Sequence, residues 1–248
     1  MGAAVPVKRS IARAAAVTPH RISGSMRRLA ATLLVAAIPL IDVAAGSGRA
    51  DGTAVEKYLA RPVVATQYRA TRRLEATGSG QRGWLDARTE FSPAAGMHYE
   101  VTAEGGSGLI RSRILRSLLE QEKTLIAKGD ADTVAIDATN YRFADGGTTG
   151  DGLVRVLLEP RRKHRALIAG AMFLSPDDGD LVRVEGRLAK SPSFWLKKVE
   201  VVRTYARING VLVPIALQST AQVRLLGGSS LHMTYDYSEV NDGPVVTP

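Results

Sequence analysis

Tyr205-Ala206-Arg207-Ile208-Asn209-Gly210-Val211-Leu212-Val213-Pro214 is the stretch on which the architecture rests. Two long runs, Leu196 to Ile208 and Val211 to Leu226, meet at Asn209-Gly210. Asn-Gly between alternating runs is the strongest short-range hairpin signal, because both residues tolerate the positive φ that a two-residue turn requires. Outward from that turn, Leu181 to Leu188 and the break at Ser191-Pro192 precede the first run, and Gly227-Gly228 leads the second into Ser230 to Val240. Glu185 to Val240 therefore reads as an antiparallel meander, a broad curved sheet with one wet face and one apolar face. Such a surface is suited to holding something.

Toward the N-terminus, Asp51 to Ala60 reads as a short helix closed by Arg61-Pro62. Three strands follow, Val64 to Ala76, Arg82 to Phe91 and Met97 to Ala103, separated by Gly78-Ser79-Gly80 and by Ser92 to Gly96. In the first, the phases of Tyr68, Ala70, Arg72 and Leu74 are only partly clean. The period then changes. Ile110, Ile114, Leu115, Leu118, Leu119 and Leu125 recur at three and four residues, with Arg111, Arg113, Arg116, Glu120 and Lys123 on the other face. This predicts one amphipathic helix, capped by Ser107 and stopped at Gly129. Asp130 to Ala138 is ambiguous; Asn140 to Ala144, Leu153 to Leu158 and Ala166 to Leu174 return to strand. The chain is expected to be mainly β with one long helix, as an α+β domain over residues 51–248.

The formal charge of +9 invites a nucleic-acid reading until its position is considered. Residues 1–50 hold seven of the 33 Lys and Arg and one of the 24 Asp and Glu, so the remainder carries only +3. Nucleic acid is not an expected partner. The leader reads as an export signal: Arg27-Arg28, an apolar run from Leu29 to Ile41, and a small-x-small site at Gly48-Arg49-Ala50, with cleavage after Ala50. The 13-residue apolar run is short for a membrane span, which needs about 20 residues. Either Met1 or Met26 can be the start. No cysteine is present, which leaves neither disulfides nor a lipidation cysteine. A periplasmic or secreted protein with no transmembrane segment after signal removal is expected.

Chemistry-bearing motifs are sparse. Gly105-Gly106-Ser107-Gly108 before a helix could cradle an anion, but no Lys-Ser/Thr follows and Leu109 stands where a nucleophile elbow needs glycine, so a link into the helix is the better reading. Asp177-Asp178-Gly179-Asp180 lacks the spacing of a calcium loop and reads as a hairpin turn. His98, His164 and His232 have no second histidine at ligand spacing, so a hydrolase built on His98 or His232 is the weakest of three readings. Arg161-Arg162-Lys163-His164-Arg165 is a basic corner that either meets headgroups or an acidic partner or guards a sheet edge. Phe194-Trp195 belongs to a pocket or to the core.

Three features together resemble the LolA-like superfamily of periplasmic carriers: an export signal before early long strands with a helix after them; the hairpin Tyr205 to Pro214, like the family's strand–Gly–x–x–x–Pro turn; and the ending Tyr235-Asp236-Tyr237-Ser238-Glu239-Val240-Asn241. The resemblance covers residues 60–242 and implies an unclosed β-barrel with the helix packed in or over its concave face. It also implies outer-membrane lipoprotein sorting or lipid transport as the activity class. The expectation is a non-enzymatic carrier or binding protein for an apolar ligand, a lipid or an acylated protein, without a cofactor or metal. Trp84, Tyr99, Leu118, Phe173 and Trp195 are the expected ligand-lining residues, and Arg161, Arg162, Lys163 and Arg165 the expected partner or headgroup contacts. The alternative is an envelope protein-interaction or stress-sensing module using the same curved sheet.

Overall fold

The computed structural model describes residues 53–61, 67–129, 135–191, 196–223 and 227–245; the leader over 1–50 and Phe194-Trp195 lie outside them. In chain order the elements are α1 (Ala54–Leu59), β1 (Tyr68–Gly78), β2 (Gln81–Ser92), β3 (Gly96–Gly106) and α2, a continuous helix in three stretches. These are Gly108–Ile110, a π-helical turn Arg111–Leu115, and Arg116–Ala127. Then come β4 (Tyr141–Thr148), β5 (Val154–Pro160), β6 (Ile168–Leu174), β7 (Leu181–Leu188), β8 (Leu196–Ile208), β9 (Val211–Val223), β10 (Gly227–Val240) and β11 (Gly243–Pro244).

All eleven strands form one antiparallel sheet in the order β3-β2-β1-β10-β9-β8-β7-β6-β5-β4, with β11 paired to the end of β10. The sheet is mainly a meander that does not close: among the described residues β3 and β4 pair on one side only. The single non-sequential joint is β1 to β10, which brings Leu74 opposite Met233 and welds the N-terminal strands to the C-terminal meander. The Asn209-Gly210 turn forms with φ of 48° and 77° and places Ile208 opposite Val211.

Alternation sets the faces. Ala70, Arg72, Leu74 and Ala76 of β1 are buried, as are Leu85, Ala87, Thr89 and Phe91 of β2. Helix α2 lies on that inner face and buries Ile110, Ile114, Leu115, Leu118, Leu119 and Glu122. Each large aliphatic side chain so buried contributes roughly 1.5–3 kcal/mol. A second, smaller cluster of Ala70, Val211, Val213, Tyr237 and Val240 sits where β1, β9 and β10 meet.

Two local readings differ from expectation, and a third gains a role. Ser107 makes no side-chain cap on α2; its hydroxyl donates to Gln81 Oε1 at 2.5 Å, while its carbonyl accepts from Arg111 N at 3.0 Å. The strand expected over Asn140 to Ala144 runs on to Thr148, because Gly146 and Gly147 are absorbed as a register shift against β5. The acidic segment Asp177 to Asp180 forms the expected turn between β6 and β7, and it also docks α1. Lys57 Nζ donates to the Asp177 carbonyl at 3.0 Å, Arg61 to the Asp178 carbonyl at 2.5 Å, and Arg61 and Arg207 both pair with Asp180. Gly179, at φ 69°, passes so close to α1 that a Cβ there would lie 2.7 Å from the Ala54 carbonyl oxygen.

Candidate functional site

Arg72 occupies an inward position of β1, directly between Ala87 of β2 and Tyr235 of β10. Its side chain is 0% exposed and that of Glu122, one turn beyond Leu118 and Leu119 on α2, is 1% exposed. The guanidinium grips the carboxylate with both Nη atoms: Nη1 donates to Oε2 at 2.7 Å and Nη2 to Oε1 at 2.9 Å. Nη2 also donates to the Tyr68 hydroxyl oxygen at 2.5 Å, and Cζ stands 4.6 Å from the centroid of the Tyr235 ring.

The Nη atoms of Arg72 are satisfied, while its Nε is buried without a hydrogen-bond partner. Burial works against the Arg72 charge, but Glu122 and the tyrosine oxygens outweigh it and hold the guanidinium well above its usual value. Burial also pushes the Tyr68 hydroxyl up to about 12, against the partial relief that Arg72 supplies, and raises Tyr235 and Tyr237 in the same direction. The phenols therefore stay neutral, as hydrogen-bonding groups and ring faces around one cation. Tyr235 and Tyr237 stack at 6.0 Å and Tyr68 meets Tyr237 edge-on at 5.5 Å. The Tyr237 hydroxyl donates to the Pro214 carbonyl at 2.8 Å, so the closing Tyr-Asp-Tyr segment and the Gly-to-Pro hairpin touch. A second arginine, Arg203 of β8, is also buried on this face, where its charge is felt at Tyr141 and Tyr235. On the far side of Tyr68, a cleft of about 250 Å³ opens between Phe91, His98 and Glu239.

The expected lining residues divide between the two faces. Leu118 is buried beneath α2, and Tyr99 of β3 donates its hydroxyl to Glu120 Oε1 of the same helix at 2.6 Å. Trp84 and Phe173 point away from the concavity. Each sits beneath an arginine on the outer face, Arg73 at 3.8 Å from the indole and Arg183 at 4.2 Å from the phenyl ring. The reason is parity: Leu85 and the pair Met172 and Leu174 take the inward phase, so Trp84 and Phe173 cannot. Trp195 lies outside the described residues.

At the basic corner, Arg161 Nε donates to the carbonyls of Ala138 and Tyr141 at 2.8 and 3.1 Å, and Arg162 Nη1 to Asn140 Oδ1 at 2.6 Å. Two of the four corner cations thus pin the segment leading into β4, and all four, Arg161, Arg162, Lys163 and Arg165, are exposed. His98 stands opposite Glu90, His232 opposite Glu75, and His164 accepts from Ala166 N at 3.3 Å through Nδ1, so the three histidines among the described residues occupy separate places. Among the described residues no group of three His, Cys, Asp or Glu could hold a metal ion. The glycine run before α2 is explained by space: a Cβ on Gly105 would enter the Trp84 indole and one on Gly106 would lie 2.4 Å from the Arg82 carbonyl oxygen.

No family model matches the sequence, and no curated protein does. One solved structure is similar. It is the crystal structure of a DUF1329 family protein from Desulfovibrio piger, 10% identical, aligned over 77% of this chain and 86% of that one with a TM-score of 0.36. Among the described residues no helix is long and apolar enough to cross a membrane.

Neither Arg72 nor Glu122 was among the expected site residues. The signal was present in both cases. Arg72 is a charge in the inward phase of a strand, and Glu122, at i+4 from Leu118 and i+3 from Leu119, is a charge of opposite sign in the apolar stripe of the helix.

Proposed function

We propose that the protein carries an apolar ligand, a lipid or the acyl chain of a modified protein, in the concavity of its sheet, with α2 as a movable cover. The observation that supports this reading is the fastening of α2 by a buried, bidentate ion pair. A helix meant only to complete a core is held as well or better by aliphatic packing, since replacing a buried ion pair by apolar residues is often neutral or stabilising. An ion pair gives the helix one register on the sheet and two ends that part as charged groups. The unclosed edges at β3 and β4 support the same reading, since a guest would not have to part paired strands to enter from the sides. Lys163 and Arg165 are the cations that would meet an anionic headgroup or an envelope partner outside the concavity, and export to the periplasm belongs to the same proposal.

One observation favours the interaction-module alternative: beneath α2 the concavity is occupied by the protein's own side chains. The two readings separate on what the protein retains. The full chain, purified from an exporting bacterium without detergent and examined by native mass spectrometry, is expected to carry lipid-sized adducts or to acquire them from added lipid. A protein that emerges empty and takes up no acyl ligand leaves the carrier reading without support.

A further inference from the structure

The chemical class of the guest follows from what the cover leaves behind. This inference rests on the carrier reading above, in which α2 lifts. When it does, Glu122 travels with the helix into water, where a carboxylate is well solvated. Arg72 cannot follow. Its stem springs from β1 in the interior of the sheet, between β2 and β10, and its guanidinium is held by the Tyr68 hydroxyl and faces the Tyr235 ring. A wholly apolar guest laid over it would bury a cation without its anion, one of the costliest arrangements a protein interior can hold.

We infer that the ligand is an acidic amphiphile whose anionic head, carboxylate or phosphate, takes the place of Glu122 on Arg72 while its chain occupies the strip vacated by α2. The fork already set for two carboxylate oxygens is the geometry in which arginine binds either head, with two parallel N–H donors. The strip has the matching shape. From Glu122 the buried side chains of α2 run back through Leu119, Leu118, Leu115 and Ile114 to Ile110, about 18 Å at the rise of a helix, and the aliphatic ones share one cluster with Leu74 and Leu85 of the sheet. The head therefore points inward, toward the sheet, and Glu122 is the protein's own occupant of the head site.

The test uses the full chain at neutral pH with three ten-carbon probes, decanoate, decyl phosphate and decan-1-ol, titrated calorimetrically. One or both acids are expected to bind on the order of a hundredfold tighter than the alcohol, and the tighter acid names the head. Glu122→Gln removes the competing charge with little change of shape, and acid affinity is expected to rise about tenfold. The double variant Arg72→Met/Glu122→Leu replaces the pair by apolar groups, a change that buried pairs tolerate, and circular dichroism checks its fold. It is expected to keep alcohol binding and lose the preference for acid. Equal affinities for acid and alcohol in the unaltered protein, or a preference that survives in the double variant, overturn the inference while leaving the carrier reading intact. Failure of all three probes to bind either the unaltered protein or Glu122→Gln overturns the carrier reading itself.

Discussion

Arg72 and Arg73 are neighbours in the chain, stand on opposite faces of β1, and have closely similar partners. Arg72 grips both oxygens of Glu122 at 2.7 and 2.9 Å and lies over Tyr235 at 4.6 Å. Arg73 grips both oxygens of Asp86 at 3.0 Å, reaches Glu75 at 3.1 Å and lies over Trp84 at 3.8 Å. The contact lists are nearly interchangeable; the solvent is not. Arg73 is 38% exposed and Arg72 is 0% exposed. Water and salt screen the first set, so losing a partner there leaves a charge that water resolvates. Losing Glu122 leaves a cation stranded in the core. The same chemistry fastens a helix on one face and decorates a surface on the other.

The largest effect that would test this contrast is Glu122→Ala, expected to lower unfolding free energy by roughly 3–5 kcal/mol in urea titrations. A loss no greater than that of a surface pair would remove the distinction between the faces. The next effect is alkaline. Tyr68 and Tyr141 are raised to about 12 and Tyr235 moves the same way, all chiefly through burial. Their contribution is complete below the ordinary phenol value near 10 and is lost as pH rises through about 12. Tyrosinate absorbance and loss of native circular dichroism are therefore expected to rise together, and phenols that ionise near 10 with the fold intact would contradict the buried arrangement.

A smaller effect belongs to the α1 dock. Burial raises the Asp180 carboxyl, but the hydrogen bond from Arg207 and the charge of Arg61 outweigh it, and the group is held below its usual value. Its contribution is present above the ordinary carboxylate value near 4 and is lost as pH falls through the depressed one. Asp180→Asn is expected to cost about 1 kcal/mol and to speed proteolysis after Lys57, with the rest of the fold unchanged. Smallest is Asp86→Ala on the outer face, expected to cost less than about 1 kcal/mol and to fade with added salt. A larger, salt-insensitive loss there would mean that Arg73 is no more screened than Arg72.

The hairpin at Asn209-Gly210, the strands Leu181–Leu188 and Leu196–Ile208, and the helix before Gly129 were all legible, because turn chemistry and a clean period are local properties. The pairing of β1 with β10 makes one sheet of the early strands and the late meander, and no local rule specified its register. The candidate site was less legible. Large aromatics drew attention at Trp84 and Phe173, but strand parity sends both outward. The informative residues were Arg72 and Glu122, two charges in apolar phases whose meaning appears only when strand and helix are brought together. Their separation of 50 positions is set by topology, which composition and periodicity do not encode.

The β1–β10 joint also bears on how the chain acquires its structure. Arg69 and Glu239, bonded across it, are 170 positions apart. During synthesis β1, β2 and β3 emerge first, and β1 keeps one bare edge until nearly the whole chain has appeared. Such distant pairing makes for slow folding and leaves the early strands exposed to adventitious pairing in the interval. The strand that finishes β1 is thus β10, almost the last to appear, and a chain truncated before residue 227 would lack the strand that covers the edge of β1.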